Sequence, residues 1–567
     1  MTATIDPAVV QIELGLVDPP PPEPPRDVPP PDPAELRRLL VATGLALPVV
    51  ALATVPAWQF PQWSWIALNL VAPVAVWGAW PFHADAVRSL RRGRPSPDLL
   101  VSLAALTALG WSLHALLTGA GTPYLEVAAG VPALALAARC AADRAARVAG
   151  AGTVVPEIGR IAGVLVPVVV TLAVGALGFW LGAGAGTAVA VPAALAVLVA
   201  GCPAVLVLAA PVALLTGAER AARSGARFTS PDALAAARRV DAVVLPTAGT
   251  LTSGRMIVHR VRPLPGGVAG EALRLAGAVH QDCTDPIGSA LVAAAIAEHG
   301  ALPCVSEFDL LPGLGVRGLV SELDGDVVKA HAVLAGRPEL LTAHGVELPD
   351  ALGDALAATD ADGAVGIVVA WDGRARAVIA LVADLCPGSA AAVARLRAMG
   401  VRPVLVTRDG PAEAARVAAD VGIAREDVVA EVPAGLRAER VRALQAAGRV
   451  VAAVGDGRGD AAALATADLG IATGSGGAPL VLSSGELPLV VAALRLARRV
   501  VGTVRVNLGW AMAVHAAALP AAAVGLLDPV LAGLAVALAA GVAVVTGLVC
   551  LGAHRDDHSS PIRATDR

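Results

Sequence analysis

The chain has 567 residues, room for several domains, yet 56% of them are apolar and the mean hydropathy is +0.69. That excess rules out an ordinary soluble protein and predicts a polytopic membrane protein. A net charge of −4, with no basic stripe interleaved with aromatics, sets nucleic acid aside as a partner.

Residues 1–34 carry runs such as Pro19 to Pro22 and Pro29 to Pro31, a composition that favours extended polyproline conformations and cannot pack. They are expected to form a disordered cytosolic tail, with docking of a proline-reading partner as the alternative. The start is acidic and Pro-rich, so no cleavable signal is expected. Apolar runs of spanning length follow at about 39–56, 63–82, 98–119, 124–143, 161–182 and 187–212, and again at about 503–525 and 528–551, eight in all. Arginines cluster at Arg37 and Arg38, at Arg88 to Arg94, at Arg139 to Arg147, and at Arg220 and Arg223. All fall on one side if the N-terminus is cytosolic, and an even count then puts both ends inside a cell membrane.

From about 218 to 500 the hydropathy drops and short apolar runs alternate with amphipathic helices, which predicts a parallel doubly wound sheet. In such a sheet the working crevice lies beyond the carboxyl ends of the strands, where Pro246, Thr407 and Asp456 each follow one. Six cysteines, at 140, 202, 283, 304, 386 and 550, form no CxxC pair and predict isolated thiols.

Four stretches point to one family. Gly249-Thr250-Leu251-Thr252 after an apolar strand, Gly455-Asp456-Gly457 with Ala467-Asp468-Leu469-Gly470, Gly201-Cys202-Pro203 in an apolar run, and Trp77-Gly78-Ala79-Trp80-Pro81 occur in this chain in the order seen in heavy-metal, copper-type P-type ATPases. The sequence resembles that class. The resemblance implies about eight transmembrane helices, a cytosolic haloacid-dehalogenase-like phosphorylation (P) domain and an inserted α+β nucleotide-binding (N) domain. The expected organisation is a tail over 1–34, helices 1–4 over 35–144, a short loop over 145–158, helices 5–6 over 159–217, a P domain from 218–255 and 376–500, an N-like domain over 256–375, helices 7–8 over 501–552, and a tail over 553–567.

The chemistry implied by the resemblance is degraded at each point. The family's phosphate acceptor is an Asp followed by Lys and Thr; here Pro246, Thr247 and Ala248 stand there, while Gly249 and Thr250 persist. Lys329 is the chain's single lysine, and Arg437 falls where the family's second phosphate-binding Lys is expected. Thr407-Arg408-Asp409 stands for Thr-Gly-Asp, with a long side chain where phosphate approaches. The actuator domain, which positions the dephosphorylating water, has no counterpart between Arg147 and Ile158. Asp456 and Asp460 read either as a residual Mg²⁺ site or as a structural cap. Gly313, Gly315 and Asp285 are carried over as nucleotide contacts, with a plain tight turn as the alternative for the glycines. Cys202 is the surviving thiol of a Cys-Pro-Cys pair and reads as a ligand to a transported soft metal or as a small residue at a kink. His515 reads as a helix-packing histidine or a metal ligand. Asp241 reads as a structural acid, with Asp241 or Thr247 as a substitute nucleophile if the protein still turns over ATP.

The expectation is therefore a pseudoenzyme without catalytic residues, with Mg²⁺ and ATP as the cofactors in question and an active transporter or other membrane protein as partner. The alternative is an ATP-dependent, copper-like cation transporter with divergent catalytic residues; a passive channel built on the helical core is a third.

Overall fold

In a computed structural model of the chain, the described residues are 33–552, apart from 94, 150–155, 325–326, 457–458 and 475–476. The tails expected over 1–34 and 553–567 thus lie outside them, except that helix Pro33–Thr54 already begins at Pro33. The short loop expected over 145–158 separates helices Leu125–Ala149 and Pro156–Gly182, and its centre, 150–155, is also outside. The chain divides into two compact units, one comprising 1–219 with 499–567 and the other 220–498.

The first unit is helical. Six described helices are long and apolar enough to cross a membrane, or seven if the bent pair Trp63–Gly78 and Trp80–Arg91 counts as one span. Two of the eight expected spans take another form. The second expected span is broken: Pro73 ends the regular α-helix, a π-helical turn runs over Val74–Gly78, and the axis bends by 46°. The π turn leaves the Ala75 carbonyl free to accept from His83 Nε2 at 2.8 Å, while Ser102 Oγ lies 2.7 Å from His83 Nδ1. The expected span 503–525 is the far part of helix Leu487–Ala523. Helix Thr187–Ala200 stops at Gly201-Cys202-Pro203 and restarts as Ala204–Ala209, because Pro203 supplies no N–H to the ladder. A Cβ on Gly201 would lie 2.4 Å from Val169 Cγ1, so only glycine allows this close helix packing.

The second unit carries two sheets. In chain order the strands are β1 (Ala226–Phe228), β2 (Ala242–Leu245), β3 (Thr252–Pro263), β4 (Cys304–Leu311), β5 (Gly315–Asp324), β6 (Val327–Gly336), β7 (Val365–Trp371), β8 (Arg374–Leu385), β9 (Arg402–Val406), β10 (Val428–Val429), β11 (Val451–Gly455), β12 (Leu469–Thr473) and β13 (Leu480–Leu482). The first sheet has the order β1-β13-β12-β11-β2-β9-β10 and is parallel except for β1. Strands β2 and β11 are buried along their whole length, as befits central strands covered on both faces. The second sheet is antiparallel, order β3-β8-β7-β6-β5-β4. Its period-2 alternation packs Ile367, Val369, Ala377 and Ile379 with helices Ala269–Val279 and Pro286–His299, while Val368, Ala370 and Val378 pack with Leu340, Leu341 and Leu352.

Candidate functional site

Strands β2, β9, β11 and β12 run in the same direction, so their carboxyl ends open on one crevice. A cavity of about 140 Å³ lies there, lined among others by Pro246, Gly249, Thr250, Thr407, Arg408, Arg437, Asp456 and Asp460. Residues far apart in sequence are thereby gathered at one place. Gly457 and Arg458 fall outside the described residues.

The loop after β2 is shaped by its own backbone. Gly249 takes φ +74°, and the Thr247 carbonyl accepts from the N–H groups of Leu251 and Thr252 at 3.0 and 2.9 Å. Pro246 sits at the head of this loop, so the side chain aimed at the crevice from the central strand is a pyrrolidine ring with no atom that can attack phosphorus. The Thr247 hydroxyl beside it is buried, and no described group bonds to it. Asp241 precedes β2, about 17 Å from Pro246 at about 3.3 Å per residue, and accepts from Val450 N–H at 2.9 Å. It fastens the opposite end of the strand.

The other polar groups of the crevice bond to one another. Thr407 Oγ1 donates to Asp409 Oδ2 at 2.7 Å. Burial and then the Asp409 carboxylate push Glu413 above the usual carboxylate range. Asp456 Oδ1 accepts from Gly459 N–H at 3.0 Å. Arg437 forms a buried ion pair with Asp460. The two carboxylates expected for Mg²⁺ do meet here, but Asp460 is spent on Arg437, a pairing that their 23-residue separation hid from sequence reasoning.

Within the second sheet a cavity of about 850 Å³ gathers Asp285, Gly313 and Gly315, with His280, Arg337, Glu339 and Asp360. Asp285 caps helix Pro286–His299, its Oδ1 accepting from Ile287 and Gly288 N–H at 2.9 and 3.0 Å. Gly313 has φ +78° with open space around it, a turn glycine, whereas a Cβ on Gly315 would lie 2.4 Å from the Ala335 carbonyl oxygen and 2.6 Å from Gly336 Cα. Backbone packing therefore accounts for Gly315. His280 was missed by sequence reasoning, which singled out only Asp285 and the two glycines in this region. Its Nδ1 lies 2.7 Å from the Ala276 carbonyl, and burial holds its pKa below 6.5, so the ring is neutral.

In the helical unit a cavity of about 260 Å³ is lined by Cys202, Glu126 and Thr54 within an otherwise apolar wall that includes Val199, Gly130 and Val536. The glutamate is signalled in the sequence as an ionisable residue inside an apolar run. No group of three or more His, Cys, Asp or Glu side chains that could hold a metal occurs among the described residues.

A doubly wound crevice with a covering antiparallel subdomain and a bundle of apolar helices defines the P-type ATPase class of membrane protein, and comparison with known proteins agrees. Residues 240–468 match the haloacid dehalogenase-like hydrolase family. The chain is 31% identical over 647 positions to cation-transporting P-type ATPase B of Mycobacterium bovis (strain ATCC BAA-935 / AF2122/97), covering 88% of this chain and 84% of the relative. That alignment is longer than the chain itself, so the relative carries internal residues with no counterpart here. It is 38% identical over 393 residues to the probable copper-exporting P-type ATPase V of Mycobacterium tuberculosis (strain CDC 1551 / Oshkosh), covering 68% of this chain and spanning 50% of the relative's length. A zinc-transporting PIB-type ATPase crystallised in the E2.Pi state superposes with TM-score 0.70 at 21% identity, over 92% of this chain and 100% of that one, a likeness of fold. The chain belongs to the heavy-metal class of P-type ATPases and is a multi-pass membrane protein.

Proposed function

We propose that this chain is a non-pumping member of its family, a pseudo-ATPase that serves as a membrane scaffold or regulator, with an active transporter as partner and both termini cytosolic. The observation that carries the reading is Pro246 at the carboxyl end of β2, in the crevice where the family places its acceptor carboxylate. An aspartyl phosphate needs a carboxylate oxygen to attack the γ-phosphorus, and electrostatic stabilisation cannot replace the atom that accepts the phosphoryl group. Three further observations support it. Thr247 and Asp241 offer no substitute, Asp460 is paired with Arg437, and the sequence between helices Leu125–Ala149 and Pro156–Gly182 has no length for an actuator domain.

Full-length protein in detergent incubated with [γ-³²P]ATP and Mg²⁺, then quenched in acid, is expected to show no hydroxylamine-sensitive phosphoprotein. A labelled band would overturn the reading. The alternative, an ATP-dependent exporter of a copper-like cation, draws on the names of the relatives and on Cys202 at the helix break. Copper-stimulated ATP hydrolysis in vesicles, lost in Asp456→Ala, would favour it.

A further inference from the structure

The family implies a Mg²⁺ ion at the carboxyl ends of β2 and β11, and the residues here do not fit one. Mg²⁺ demands near-octahedral oxygen ligands at about 2.0–2.1 Å. Pro246 contributes no side-chain oxygen. Asp456 already accepts a backbone N–H from Gly459. Asp460 is bonded to the Arg437 guanidinium, and the two side chains are only 8% and 10% exposed. A fixed positive charge within hydrogen-bond reach of a carboxylate takes one of its oxygens and repels a dication brought to the other.

We infer that the Arg437 guanidinium is the resident cation of this crevice: it stands in the place of Mg²⁺, neutralises Asp460, and lets the crevice hold its shape with no divalent ion. Arginine suits this role better than the lysine that the family resemblance puts here. Its charge persists when buried, whereas a buried ammonium sheds its proton more readily. Arg437 Nε has no described partner, so the bond to Asp460 is the contact that compensates the buried guanidinium. The pair is also economical in sequence terms, since it joins the first residue of helix Arg437–Ala446 to the residue that precedes helix Ala461–Thr466. The proposal is separate from the missing acceptor, because a crevice without a nucleophile could still bind Mg²⁺.

Full-length protein in detergent is titrated with Mn²⁺, a probe for the divalent site, and free Mn²⁺ is read by electron paramagnetic resonance. The wild type and Asp460→Asn are expected to bind the same number of Mn²⁺ ions, and Mg²⁺ is expected to leave the wild-type unfolding midpoint unchanged. Arg437→Ala is expected to gain a Mn²⁺ site at least about tenfold tighter than any wild-type binding in this unit, equivalent to about 1.4 kcal/mol. Adding Asp460→Asn to Arg437→Ala should remove that site. A wild-type Mn²⁺ site that disappears in Asp460→Asn would overturn the proposal. Should Arg437→Ala fail to fold, the wild type against the near-isosteric Asp460→Asn decides alone. A labelled phosphoprotein would end the pseudo-ATPase reading without moving any of these titrations.

Discussion

The imidazole of His515 lies between two backbone carbonyls, its Nδ1 2.7 Å from the Ala511 oxygen and its Nε2 3.3 Å from the Cys202 oxygen. The ring is 1% exposed and ties helix Leu487–Ala523 to the helix break at Gly201-Cys202-Pro203. What it meets there is the carbonyl of Cys202, which is the office of a packing histidine across a bundle.

This relationship gives the first prediction. Cys202 supplies the thiol of its cavity, and the lining, including Val536, is otherwise largely apolar. His515→Phe is expected to leave any Cu(I) retention by the purified protein within about twofold, equivalent to less than about 0.5 kcal/mol, while lowering the unfolding midpoint. Ala204→Cys restores a second thiolate across Pro203 and is expected to tighten Cu(I) binding at least about tenfold. Competition with a chromogenic Cu(I) chelator checks both. Equal losses in His515→Phe and Cys202→Ser would make the histidine a ligand.

Restoring the acceptor alone is not expected to restore turnover. Pro246→Asp places a carboxylate at the carboxyl end of β2, yet Thr247 stands in the lysine position, Arg408 lines the cavity and Arg437 remains on Asp460. Removing one member of a functional constellation costs orders of magnitude in rate, and members acting as a unit do not add singly. Pro246→Asp should give ATP hydrolysis within the noise of wild type, measured as phosphate release. Phosphate release well above wild type would mean that the crevice had kept its phosphoryl-transfer geometry.

How much of this was legible beforehand follows from what sequence can encode. Strands β2, β9 and β11 declared themselves as short apolar runs, and the rule that crevices lie beyond parallel strand ends brought Pro246, Thr407 and Asp456 together correctly. The break at Cys202 was readable from Pro203, because a missing N–H is a local property. Arg437 with Asp460 was not, since one was read at a phosphate-binding lysine position and the other as a Mg²⁺ ligand or cap, 23 residues apart, until the fold joined them. Hydropathy marked apolar length, but not the π turn over Val74–Gly78 that bends one expected span, nor the single helix that carries 503–525 onward from 487. Gly313 and Gly315 looked alike in sequence and do different things.

His280 makes the N-like subdomain sensitive to acid. Burial holds its folded pKa below the ordinary 6.5, so the folded state resists a proton that the unfolded chain accepts. Stability is then fully present above about pH 6.5 and declines as pH falls through the unfolded and then the folded value. Hydrogen-exchange protection factors of helices Ala269–Val279 and Pro286–His299 should fall between pH 7 and pH 5, after correction for intrinsic exchange. His280→Gln, which keeps a donor for the Ala276 carbonyl, should flatten that slope. An unchanged slope would assign the acid sensitivity to another group.

The two glycines of the 850 Å³ cavity separate fold from ligand. Gly315 pairs with Gly336 across β5 and β6, and an added Cβ meets the Ala335 carbonyl oxygen at 2.4 Å and Leu340 Cδ2 at 3.0 Å. The obstruction is backbone, which cannot swing aside, so Gly315→Ala is expected to cost about 1–3 kcal/mol through overpacking. Gly313 is limited only by its φ of +78°, with nothing within 4 Å of an added Cβ, so Gly313→Ala should cost about 1–2 kcal/mol from backbone strain. Denaturant unfolding of the full chain, followed by hydrogen exchange on strands β5 and β6, measures both. If Gly315 existed to let a nucleotide approach, Gly315→Ala would weaken ATP binding in calorimetry while leaving exchange in those strands untouched. The contact with Ala335 predicts the reverse order, with strand protection lost first and ligand affinity following it.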